Sequence, residues 1–185
     1  MKALGFSICT STGTAVDLTK EAKPALDLIG TGSPKHVSTL SGGGSNVTGG
    51  QIDTAKIAQI VGHEGEQSGQ VYKITVGRGD LNVKEIGATI NARMGLNTWA
   101  AFYGTDANAD VAGDIAMLVN EVTPVLKALR SNGLNVVAIH NHMTGQPTIY
   151  FLHYWGTGSA EKLAEGFKAA LSQTGKGQTA RAGEK

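Results

Sequence analysis

The chain has 185 residues, enough for one domain with a real core and an arm or tail left over. Sixteen basic against fifteen acidic residues give a net charge of +1 with no run of like charge, which argues against nucleic-acid binding and a polybasic membrane patch. The single cysteine, Cys9, excludes a disulfide within these residues, and no apolar run approaches the length that crosses a bilayer.

The first residues, MKALGFSICTSTGTA, outline a short signal-like segment: a lysine, an apolar patch from Ala3 to Cys9, and a small-residue end. Ile8 is too large for a good lipoprotein box before Cys9. The expected localisation is periplasmic or secreted, with the cytoplasm as the alternative. Ala15 to Ile29 has the composition of a short helix interrupted by Pro24. Gly30 to Gly50 is rich in Gly, Ser and Thr and reads as a flexible linker in which His36 is simply solvated. Residues 1–50 are therefore assigned to an arm and linker, 51–172 to a folded domain, and 173–185 to a disordered tail.

Within the domain, Asp53 is placed to cap a helix over Thr54 to Val61. His63-Glu64 lies in a Gly-bounded loop with no second histidine at the H-E-x-x-H spacing, so it reads as surface. Val71 to Val76 and, more weakly, Val83 to Ile90 are expected strands. Trp99 to Tyr103 and Val111 to Val119 are expected core strands. A helix over Glu121 to Asn132 follows, with Thr123 as cap, Pro124 in the first turn and Asn132-Gly133 as the stop. Ser159 caps a final helix carrying Leu163, Phe167, Ala170 and Leu171 on one side. This order predicts an α+β fold, a mostly antiparallel sheet with helices packed on it.

Between those last two helices lies NVVAIHNHMTGQPTIYFLHYWG, which holds three of the five histidines. Two β-branched, apolar runs flank the turn residues Thr144-Gly145-Gln146-Pro147, the pattern of a hairpin. With Met143 facing Thr148, His140 faces Phe151 and Ala138 faces His153. Period-two alternation then puts His140, His142 and His153 on one face, with Val136, Phe151 and Trp155 beside them. A one-residue slip would send His153 to the other face. Three converging imidazoles suit a transition metal, copper or zinc. Glu121 is a candidate fourth ligand, second-layer partner or general base, and equally an acid favoured by a helix N-terminus. Gln146 completes an H-x-H-x3-Q spacing, which leaves a cupin-like β-barrel as an alternative fold. The letters of His140-Asn141-His142 do not make an HNH nuclease, and no phosphate-binding glycine loop is present.

TWAAFYGT, GDIAMLVNEVTPVLKALRSNGL, VVAIHNHM, IYFLHYWG and AEKLAEGFKAAL together resemble the LppY/LpqO family, a bacterial domain of unknown function. The resemblance runs from Ile52 to Leu171 and includes, in order, Trp99, Asp114, Glu121, Pro124, His140, Asn141, His142, Pro147 and His153. It implies a protein of a kind often exported or lipid-anchored and often built from two related domains; only one copy is visible here. Relatives commonly carry an acid before the turn proline, where this chain has Gln146, so the resemblance implies a weakened or altered metal shell at that position.

Three functions stay open. The leading one is an exported metal-binding protein holding one copper or zinc ion on His140, His142 and His153, with Gln146 as a further candidate ligand. The second is a metalloenzyme, a hydrolase or oxidase, with Glu121 as base. The third is a nonmetal small-molecule module using Phe151, Trp155 and Trp99. The apolar hairpin is also a candidate homodimer surface.

Overall fold

Strict alternation of half-buried and buried residues along Asn97–Gly104 marks a strand with one face on a core and the other nearer solvent. The computed structural model describes residues 13–27, 51–142 and 146–175. Residues 1–45 and 46–185 form separate units. In the first, α1 (Ala15–Asp27) is a helix that accommodates Pro24 and buries none of its residues. The expected linker with His36, and Cys9, lie outside the described residues.

The second unit runs α2 (Thr54–Val61), β1 (Gly65–Ser68), β2 (Val71–Gly77), β3 (Val83–Glu85), β4 (Ala88–Ile90), a short 3-10 turn (Ala92–Met94) and β5 (Asn97–Gly104). It continues with β6 (Ala109–Met117), α3 (Val119–Ser131), β7 (Asn135–Asn141), β8 (Tyr150–Gly158) and α4 (Ala160–Leu171). Six strands form one open sheet in the order β1-β2-β5-β6-β8-β7, every neighbouring pair antiparallel. The α+β expectation holds. The cupin-like alternative does not, because the sheet ends in two edges, β1 and β7, and never closes.

One face carries Tyr72, Ile74, Ala100, Phe102, Val111, Ile115, Leu152 and Tyr154 into a core shared with Ile57 and Val61 of α2, Val125 and Leu129 of α3, and Leu163, Phe167 and Ala170 of α4. Burying large side chains of this kind is worth roughly 1.5–3 kcal/mol each and is the main force holding helices to sheet. Gly113 belongs to this face for a steric reason. The Tyr154 ring lies across it, so a Cβ there would collide with that ring and with the Trp99 carbonyl.

The opposite face is covered at one end only. There β3 and β4 form a separate two-stranded ribbon, and Val83 and Leu96 bury Ala116, Ile149 and Phe151. The rest of that face is open, with Lys73, Thr75 and Ala112 exposed and Trp155 47% exposed.

Four local expectations need correction. The single strand expected over Val83 to Ile90 breaks into a hairpin, because Ile86 (φ 49°) and Gly87 (φ 80°) both take left-handed backbone, as a tight two-residue turn requires. The strand expected to reach Val119 ends at Met117, and α3 starts at Val119 with Leu118 at its cap rather than Thr123, so Pro124 sits inside the helix. The early start follows from Glu121, whose carboxylate accepts the Leu118 N–H at 2.8 Å. A bulge at Val137 separates the Val136–Tyr154 pair from the Ala138–His153 pair. It turns Val136 onto the helix-covered core rather than beside the histidines. Finally, residues 173–175, expected in the tail, form a turn closing on the domain: Gly175 N–H donates to Glu121 Oε1 at 2.7 Å.

Among the described residues, no helix is long and apolar enough to cross a membrane.

Candidate metal centre

The β7–β8 hairpin takes the register expected beyond its bulge: His140 pairs with Phe151 and Ala138 with His153. Alternation therefore carries His140 and His153 to the face opposite the helices, and His142, one step past the end of β7, joins them. The ligand nitrogens of His140, His142 and His153 all lie within 4.8 Å of one another, and all three residues are half-buried. Nε2 of His140 and Nε2 of His153 stand 2.7 Å apart, so one donates to the other. The ring centroids of His140 and His142 are 4.7 Å apart, and those of His140 and His153 are 4.9 Å apart.

Packing holds this arrangement in place. His142 stacks on Phe151 with centroids 3.9 Å apart and planes inclined by 11°. Phe151 is itself buried under the β3–β4 ribbon. Burial, and then the neighbouring His140 and His153, hold the His142 imidazole below its ordinary pKa and so favour its neutral, ligating form.

Behind His153 stands Asp114, its direct partner across the β6–β8 ladder. Asp114 Oδ1 lies 3.8 Å from His153 Nδ1. That oxygen is sealed from solvent and has no hydrogen-bond partner among the described residues. Burial raises the Asp114 carboxyl above its ordinary pKa, while His153, His140 and the backbone N–H of Ile115 pull it back down. The same burial, with Asp114 nearby, pushes the Tyr154 phenol well upward; its hydroxyl donates to the Trp99 carbonyl at 3.4 Å.

Glu121 has a different set of partners from those the sequence suggested, and it is not a member of the histidine cluster. Its carboxylate is buried against the Arg78 guanidinium, with Nη1 to Oε2 at 2.8 Å and Nη2 to Oε1 at 3.1 Å. It also accepts the Leu118 and Gly175 N–H groups. Both oxygens are occupied, which is the work of a helix-terminal acid in an ion pair and leaves no free lone pair aimed at the histidines. Gln146 is exposed in a bend before Pro147, and Met143 to Gly145 lie outside the described residues.

Of the aromatic residues expected to line a pocket, Phe151 is buried beneath His142, and Trp99 is half-buried with Lys73 Nζ 4.3 Å from its ring centroid. Trp155 stays largely open. His63 and Glu64 are exposed, as read. Two functional features had escaped sequence reading. Arg78 carried no signal, because its partner Glu121 lies 43 residues along the chain. Asp114 was noted with Glu121 as an acid that the preceding elements contribute, but was given no role, and only the pairing of β6 with β8 shows that it faces His153.

Fold and site together define a class: an open antiparallel α+β domain with a three-histidine cluster, able to hold a metal ion, on the face its helices do not cover. The chain belongs to the family described as Domain of Unknown Function (DUF1259), whose model matches residues 55–173. No match is found among curated proteins or among solved structures.

Proposed function

We propose that this domain binds a single transition-metal ion, copper or zinc, through His140, His142 and His153, and acts as an exported metal-binding protein. The observation that carries the reading is three ligand nitrogens within 4.8 Å of one another, with His140 and His153 on paired strands and His142, just past β7, stacked on the buried Phe151 ring. Imidazole donors suit zinc and copper, and the affinity order along the first transition row favours copper where it is available. The 2.7 Å between His140 Nε2 and His153 Nε2 is a shared-proton distance. An ion held there would need the proton between His140 and His153 to leave, because imidazole ligates through a free ring-nitrogen lone pair. Export is supported by the signal-like first residues and by the resemblance to the LppY/LpqO family. Gln146, exposed in the bend before Pro147, is the candidate for an additional, weaker ligand.

Binding is favoured over catalysis by the state of Glu121. A metalloenzyme needs an open coordination position, which three protein ligands leave, and also a base within reach. The Glu121 carboxylate is spent on Arg78 and two backbone donors. The test is elemental analysis of the untagged chain beside a His140→Ala/His142→Ala variant. Near-stoichiometric copper or zinc in the parent and none in the variant is the expected result. A parent that stays metal-free after loading overturns the proposal and moves the search to small-molecule ligands.

A further inference from the structure

We infer that Asp114 is the positioning residue of this metal centre: it takes the Nδ1–H of His153 and thereby turns the Nε2 lone pair of that ring toward the ion. The inference rests on the metal-binding reading above and adds a residue that the three-ligand site does not itself identify.

Three observations carry it. First, the Asp114 side chain is 10% exposed, and its Oδ1 is buried with no hydrogen-bond partner among the described residues. A carboxylate oxygen in that state costs free energy that a fold ordinarily avoids. Second, the imidazole of His153 lies between Asp114 and His140. Its Nδ1 is 3.8 Å from Asp114 Oδ1, and its Nε2 is 2.7 Å from His140 Nε2. That distance is a few tenths of an ångström beyond a hydrogen bond, and a small rotation of either side chain closes it. Third, the placement is set by the sheet rather than by a loop. Asp114 pairs with His153 on one side and with Trp99 on the other, in three adjacent strands.

The proton arrangement follows. With Nδ1–H directed at Asp114, Nε2 of His153 is the acceptor of the His140 contact, and it is the atom left for a metal when His140 gives up its proton. A ligating histidine commonly donates its second ring nitrogen to a carboxylate, which fixes the tautomer and makes the ligand more basic. The same carboxylate places one negative charge behind three neutral ligands and a cation. Arg78 and Glu121, which satisfy one another elsewhere in the domain, show that this fold pairs its buried carboxylates when no ligand is expected.

The test uses the full chain loaded with zinc and titrated against a chromophoric chelator, for wild type, Asp114→Ala, Asp114→Asn and, as a control on the same strand and face, Asp110→Asn. Loss of the carboxylate is expected to weaken zinc binding by about 10- to 100-fold without changing stoichiometry. Asp110→Asn leaves affinity unchanged, and Asp114→Asn, near-isosteric, covers the case in which the alanine variant folds poorly. A second readout needs no metal: nitrogen-15 spectra of the histidine rings report which nitrogen of His153 carries the proton. Nδ1–H in wild type, lost or mixed in Asp114→Ala, is expected; Nε2–H in wild type overturns the inference. Metal-binding wild type with an equally tight Asp114→Ala variant overturns this inference alone. Wild type that takes up no zinc overturns the metal reading and this inference with it.

Discussion

The Arg78–Glu121 cluster and the histidine cluster, both on the described part of the domain, are finished to different degrees. In the first, Arg78 directs its donors to both oxygens of Asp80, both oxygens of Glu121 and the Ala116 carbonyl, while Glu121 also receives two backbone N–H groups. It is closed: Arg78 is 5% and Glu121 2% exposed. In the second, three histidines crowd together half-exposed, with a carboxylate oxygen behind them that has no partner. A polar network complete in itself ties elements together, here the end of β2, β6, the start of α3 and the turn after α4. The second cluster brings three imidazole nitrogens within 4.8 Å of one another beside a carboxylate oxygen without a partner among the described residues, an arrangement that can accept a cation. The difference separates a clamp from a site better than residue type does, since both clusters hold buried acids.

Substitutions at either cluster separate the two, and the largest effect belongs to the clamp. Arg78→Ala leaves Glu121 buried and unpaired and is expected to cost roughly 3–5 kcal/mol in chemical denaturation, while the folded fraction still takes up metal at the parent stoichiometry. A loss under about 1 kcal/mol would mean that the ion pair is solvated and not a clamp. Next is Gly113→Ala, which drives a methyl into the Tyr154 ring beside Asp114. Overpacking of this kind is expected to cost about 1–3 kcal/mol, read from the same denaturation curves.

A pH effect follows in size. Because burial raises the Asp114 carboxyl above 3.8, the folded chain holds its proton more tightly than the unfolded one. That contribution is fully present below the unfolded value and is lost as pH rises through the folded value. His142 works in the opposite sense: its imidazole is held below 6.5, so its contribution is present above that value and is lost as pH falls through the folded one. Melting temperatures of metal-free Asp114→Asn and parent should therefore coincide in acid and diverge in the variant's favour as pH rises past the Asp114 window. Curves that run parallel throughout would mean that burial of the Asp114 carboxyl does not govern stability. The smallest effect on stability is expected at His140→Ala. Its ring is half-exposed, so metal-free stability should move by only about 0.5 kcal/mol, even as metal uptake is lost. A collapse of metal-free stability would make the histidines part of the fold and not a site.

Much of this was legible in the sequence where the information is local. The turn residues around Pro147 and the alternation on either side placed His140 opposite Phe151 and His153 opposite Ala138. Asp53 and Ser159 announced their helices, since a cap is read from its own neighbours: their side chains accept the N–H of Lys56 and of Lys162. What escaped was non-local or irregular. The bulge at Val137 shifts alternation by one and moved Val136 to the other face. β1, with the sequence GEQS, has no apolar pattern and exists because β2 offers it a ladder. Glu121 looked available as a base because Arg78, which occupies it, is remote in sequence. Asp114 could not be tied to His153 without knowing that β8, not β7, lies beside β6.

Whether these three histidines together hold one metal ion decides the reading of the site. X-ray absorption at the metal edge of the copper- or zinc-loaded full chain tests it most directly, because it counts imidazole ligands around the ion itself. Three histidine nitrogens at about 2.0 Å are expected, falling to two in His153→Ala. A shell of oxygen scatterers, or one containing a single imidazole and unchanged by that substitution, would contradict it.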